Sequence, residues 1–311
     1  MKFNNSFKLA IANFALFWKL LLYIIIAAAV GALFILPVFN VIKDCFTGVG
    51  FLSAFTNLFT MPLFQGVETL LGLILNLFNT FFAGIQVLIN TNLLVFIYLA
   101  IIVLVVLPFL FKLSDVPASE SAYSYMSSLN KNSFSINFVN LLGKSAGYSI
   151  LKTLLEIPFM FALLGGVYGF LNLSQMGDVW VVITPLLVFV YVVLMIALFL
   201  TAFSGWAPSV VVFNVCAGKG LKKGLKAVGR NFLSVLSSYC VTIAVVLCLT
   251  YLFNIYALVF AVPFMSLIIA IFGNVLFFES QGMDYYISPE KIVKPRKLET
   301  ADKINKLKMI V

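Results

Sequence analysis

The feature that most constrains this chain is a set of apolar runs too long for a soluble core. Residues 17–38 read FWKLLLYIIIAAAVGALFILPV, and comparable runs lie at 92–111, 153–171, 179–203, 233–254 and 257–278. Each is about long enough for a helix to cross a ~30 Å hydrocarbon core. Composition points the same way. The chain is 63% hydrophobic and 10% charged, against roughly 45–50% apolar and about 25% charged residues in soluble domains. A soluble globular enzyme, a disordered chain and a secreted disulfide scaffold are excluded. The expected fold is an all-α polytopic transmembrane helix bundle of six spans. It forms one domain over 1–280, with 281–311 as a basic cytoplasmic tail. Lys2 and Lys8 precede the first run. That run exceeds the 7–15 residues of a signal-peptide core and more spans follow, so it reads as an uncleaved first helix.

Segment 66–89 is ambiguous, because Glu68, Asn76, Asn79, Thr80 and Gln86 interrupt its apolar residues. Positive charge decides between topologies, since cytoplasmic loops are enriched in Lys and Arg. If 66–89 does not fully cross, six spans put both termini inside, in the cell membrane. Nineteen of the twenty basic residues then share that side, with Lys43 outside. A full crossing breaks this bias. Segment 45–90 is therefore expected outside, as a re-entrant or surface-lying helical segment. Trp18 and Trp206 fall at inner ends of spans and Trp180 at an outer end, which fits the interfacial preference of Trp.

Asn76, Asn79, Thr80 and Gln86 recur at helical spacing with Gly72 and Gly84. They read either as a polar path or as the wet face of an amphipathic helix. Glu156 is the one acidic residue expected within a span, where ionisable groups are costly and raise a functional hypothesis. It also lies four residues after Lys152, as an ordinary i,i+4 pair would. Asn274 in the last span is either a helix–helix hydrogen bond or a second path residue. Gly165, Gly166 and Gly169, and Ala27, Ala28, Gly31 and Ala32, give small-residue faces suited to close helix packing. Pro158, Pro185 and Pro263 are candidate kinks.

The most distinctive stretch is 204–232, SGWAPSVVVFNVCAGKGLKKGLKAVGRNF. Over 214–232 it reads as an inner basic amphipathic helix. Leu221, Leu225, Val228 and Phe232 form one face, and Lys219, Lys222, Lys223, Lys226 and Arg230 lie around the other. Such a helix attracts anionic lipid. It equally suits a cytosolic protein subunit, or serves only as an orientation signal. Lys291, Lys294, Arg296 and Lys297 form a juxtamembrane basic cluster. Ile304, Leu307 and Val311 follow at helical spacing, so the tail is read as a membrane contact or a partner-binding helix. No nucleic-acid module accompanies these charges.

The pattern of a span, WAPSVVVFN, KGLKKGLKAVGRNF and a second span resembles the membrane domain that accompanies some bacterial glycerophosphodiester phosphodiesterases, and its stand-alone relatives of unknown function. The similarity covers about residues 195–255. The catalytic barrel of those enzymes has no counterpart here, so the resemblance implies a membrane module and transfers no catalytic residue.

No histidine is present, which removes His acid–base catalysis, His-relayed nucleophiles and His metal sites. Cys45, Cys216, Cys240 and Cys248 form no CxxC pair and read as free thiols. Ser128-x-x-Lys131 and Ser149-x-x-Lys152 match a serine–lysine spacing but lack its companion motifs. No catalytic residue, cofactor or metal is assigned. Two readings stand. One is a non-enzymatic, lipid-associated module or scaffold in contact with anionic lipid. The other is a transporter or permease component, with its polar path at 76–86, Glu156 and Asn274 and its docking loop at 214–232. Inverted or parallel repeats are common in transporters, and comparison of 17–150 with 153–280 finds none.

Overall fold

A computed structural model describes the backbone of residues 2–60, 67–130, 133–229, 231–253 and 256–294. Lys131, Arg230, Arg296, Lys297, Ile304, Leu307 and Val311 lie outside the described residues, as does the Glu68 side chain. The protein is all-α apart from a short β-hairpin. In chain order the helices are α1 (Lys2–Ala12), α2 (Phe14–Ile35), α3 (Phe39–Gly48), α4 (Phe51–Thr60), α5 (Val67–Thr91), α6 (Leu93–Ile101), α7 (Leu107–Lys112) and α8 (Asp115–Ser128). There follow α9 (Phe134–Asn140), α10 (Leu142–Leu173), α11 (Asp178–Phe203), α12 (Trp206–Val212), α13 (Ala217–Gly229), α14 (Phe232–Phe253) and α15 (Tyr256–Gln281), then β1 (Tyr285–Ser288) and β2 (Lys291–Val293). Among the described residues, seven helical segments are long and apolar enough to cross a membrane: the six expected runs and Leu71–Thr91.

The long helices form a ring in which α2, α7, α10, α11, α14 and α15 each pack on the next, and α15 returns to α2. Contacts fix the directions. Tyr23 donates to the Leu110 carbonyl at 2.5 Å and Tyr98 to the Phe34 carbonyl at 2.9 Å, so α2 runs antiparallel to α6–α7. Lys112 pairs with Glu156 and Asp115 with Lys152, so α7 runs antiparallel to α10. Phe170 stacks beside Tyr191 and Phe159 on Phe199, so α10 runs antiparallel to α11.

Burial is inverted relative to a soluble domain. Outward faces show large apolar side chains such as Leu22, Leu33, Val182 and Leu186, each more than 60% exposed. Ser119, Ser145, Ser149, Thr201, Ser209 and Asn274 are fully buried. Hydrocarbon outside accounts for this, because a soluble monomer rarely exposes an apolar patch beyond a few hundred Å². The small-residue faces act only in part. Gly31 sits against Leu107 and Gly166 under Tyr191, while Gly165 and Gly169 meet nothing across a helix interface. Helices α10, α11 and α15 run unbroken through Pro158, Pro185 and Pro263.

Two expectations change here. Residues 112–150, between the expected spans at 92–111 and 153–171, contain α8, nine of whose fourteen residues are buried. Its serines turn into the protein: Ser121 donates to the Pro117 carbonyl, and Asn137 to Ser121. The basic tail likewise begins with folded structure. Tyr285 is fully buried and Tyr125 donates to the Ile287 carbonyl, tying the hairpin to α8. Asn5 donates to the Tyr285 oxygen, and Tyr285 donates to Glu279 at 3.0 Å. Burial first, then the Glu279 carboxylate, pushes the Tyr285 phenol well above its ordinary range, so it stays a donor.

Candidate functional site

Helices α1, α8, α9, α12 and α13 and the hairpin cap one end of the ring, and this end gathers most of the charge. The chain turns from α7 into α8 at Ser114, which puts Asp115 one turn past Lys112. Lys152 donates to Asp115 Oδ2 at 2.7 Å, and both are largely buried. The Lys152 ammonium also lies 5.3 Å from the Tyr148 ring centre. Glu156 pairs with Lys112 from the neighbouring helix. The expected Lys152–Glu156 i,i+4 pair is therefore corrected. Each cation is held by a carboxylate from the facing helix, since Asp115 is the carboxylate that meets Lys152.

Asn274 donates at 3.0 Å to both the carbonyl and the hydroxyl of Ser119, one turn below Asp115, and at 2.8 Å to the Ala270 carbonyl. It is a helix–helix clamp between α15 and α8. Glu156 and Asn274 thus belong to the capped end. The α5 residues proposed to share a path with them lie elsewhere. Leu71 and Leu75 pack on Leu171 at the far end of α10. Asn76, Asn79 and Gln86 are exposed on α5. Asn79 accepts from Tyr168, and Thr80 donates to the Asn76 carbonyl of its own helix. Among the described residues, no hydrogen bond or ion pair joins these α5 side chains to Glu156 or Asn274.

Helix α13 docks onto α12 with close backbone approach. Ala217, Gly220, Gly224, Ala227 and Val228 are its buried face. A Cβ on Gly224 would lie 2.7–2.8 Å from the Gly205 and Trp206 backbone. Ser209 donates to the Gly220 carbonyl and the Trp206 indole to the Ala217 carbonyl. Trp206 is consequently buried against Tyr148 and Phe203, which corrects its expected interfacial position. The docked face shares only Val228 with the apolar face read from the sequence, and Leu225 is left 45% exposed. Residues spaced 217, 220, 224 and 227 carried that signal, and glycine scores as neither apolar nor polar in a periodicity count. With the small residues inward, Lys219, Lys222, Lys223 and Lys226 all project outward. Lys223 sits 3.7 Å above the Phe213 ring, and Lys144 bonds Asn214 beside it.

Trp18 and Trp180 are exposed, as interfacial residues would be. Among the described residues no three acidic or cysteine side chains converge on a metal position. No family model, curated protein or solved structure matches the chain.

Proposed function

We propose that this protein is a non-enzymatic multi-pass module of the cell membrane, with its capped end in the cytoplasm and in contact with anionic lipid. The observation that carries this reading is the mounting of α13. Its glycine face is fixed to α12, so four lysines stand on one rigid outward surface. Near a membrane each such charge contributes about 1 kcal/mol of attraction to anionic lipid. The resemblance of 195–255 to a phosphodiesterase-associated membrane domain supports the same class.

Contact directions support six crossings rather than seven. Phe34 and Tyr98 are neighbours on antiparallel helices. The chain between them leaves and re-enters at the same end, which supports a reading with α3–α5 on the outer side. This agrees with the bias of basic residues toward the capped end.

The test is lipid retention. The full chain is extracted in mixed-lipid nanodiscs, and the anionic-to-zwitterionic ratio retained after a mild detergent wash is measured by mass spectrometry. Replacing Lys222, Lys223 and Lys226 by Gln is expected to lower that ratio about tenfold or more, because three charges at ~1 kcal/mol each are removed. An unchanged ratio with an intact fold contradicts the reading. A soluble protein recovered at fixed stoichiometry, and lost in the same variant, would instead favour a permease with α13 as its dock.

A further inference from the structure

A cavity of about 760 Å³ lies between α2, α14 and α15 and opens to one side. Its wall runs from Phe7, Phe14 and Phe17 at the capped end along Val245 and Leu249 of α14 and Phe264 of α15. Its lining on α15 spans residues 260 to 272, roughly 18 Å at ~1.5 Å per residue. That is about the depth of one leaflet, half of a ~30 Å core.

The lining is almost wholly hydrocarbon. Its two polar residues, Thr242 and Thr250, turn their hydroxyls to the Ser238 and Val246 carbonyls of their own helix. A sugar, nucleotide or peptide backbone would find no partner there, and burying unpaired polar groups is costly. The capped-end mouth has the opposite character. Lys8 is exposed next to Phe7, and Ser234 and Ser237 are exposed at the start of α14. An apolar slot of leaflet depth, whose lining residues Phe7 and Val241 are followed and preceded in their helices by an exposed cation and exposed hydroxyls, matches the two parts of a phospholipid.

We propose that this groove seats an acyl chain of one inner-leaflet anionic phospholipid, with its headgroup at Lys8 and the α14 N-terminus. The inference rests on the membrane orientation proposed above, but it concerns a site separate from the α13 lysines.

Native mass spectrometry of the full chain, delipidated in mild detergent, reads the site directly. The wild type is expected to keep one phospholipid per chain. Val245→Trp and, separately, Ala261→Leu fill the groove. Each is expected to lower occupancy about tenfold, the factor that excluding a couple of buried methylenes produces. The variant with Lys222, Lys223 and Lys226 changed to Gln is expected to keep this lipid, so failure of the α13 reading and failure of the groove are told apart. A diazirine-bearing phospholipid provides a readout that needs no substitution. Its label is expected on 241–250 and 260–272 of the wild type. Undiminished occupancy in both filled variants, label spread evenly over outward faces, or a second copy of the chain in place of lipid would overturn the proposal.

Discussion

Replacing Asp115 by Asn is expected to destabilise the bundle by about 3–5 kcal/mol, the usual cost of leaving one member of a buried ion pair alone. Lys152 is only 7% exposed and has Asp115 as its carboxylate partner, 2.7 Å away. With the carboxylate gone, its ammonium remains inside α8, α10 and the Tyr148 ring with nothing to balance it. Trp206 reports locally, because it is buried 4.8 Å from the Tyr148 ring centre. Its fluorescence in a denaturing-detergent titration is expected to show the loss at lower denaturant. Changing both residues, Asp115→Asn with Lys152→Met, removes the charge along with its partner and is expected to recover most of the stability. A single variant as stable as wild type, or a double variant no better than the single, would mean the pair is not buried as described. The Lys112–Glu156 pair is slightly more exposed, with side chains at 12% and 25%. Breaking it is expected to cost less, about 1–3 kcal/mol.

The second large effect is expected at Gly224. Valine there would drive its side chain into the Gly205 and Trp206 backbone, and backbone atoms cannot swing aside as a flexible side chain can. Overpacking of this kind costs about 1–3 kcal/mol. Gly224 is at the upper end of that range, because the obstructing atoms are main chain. The loss should be local. Hydrogen exchange is expected to quicken over 217–229, with Trp206 emission shifting to the red as its bond to Ala217 breaks, while the long helices keep their protection. Gly218 is the control. A Cβ there meets nothing within 4 Å, so Gly218→Ala is expected to stabilise α13 by up to ~1 kcal/mol. Equal behaviour of the two variants would remove the glycine-face account of how the lysines are presented.

These two sites mark where sequence reasoning stops. Long spans are legible because hydrophobicity over about 20 residues is a local property, and all six expected runs fall on long apolar helical segments, several of which extend ten or more residues beyond the run. Helix α8 was not legible. Its serines and acidic residues have the composition of a loop, and only the surrounding α12 and α15 make them interior. The partner of Lys152 came from 37 residues away rather than four, and pairing across helices depends on a ring closure that no short window contains. The α13 lysines were found by type and spacing, but the face holding them was missed. Close packing there comes from side chains that are absent, and a periodicity count registers only those present. The apolar groove left no sequence signature, because its lining residues look like any lipid-facing stripe.

The central claim is that the capped, basic end lies in the cytoplasm and α3–α5 lie outside. Cysteine accessibility tests it most directly. Cys45 on α3 is half-exposed, and Cys216, just before α13, is exposed. Two variants, each keeping one of these thiols as the sole cysteine, are treated in intact cells with a membrane-impermeant maleimide. The account predicts labelling of Cys45 at once and of Cys216 only after the membrane is opened. Prompt labelling of Cys216 with Cys45 protected would invert the orientation and contradict the account.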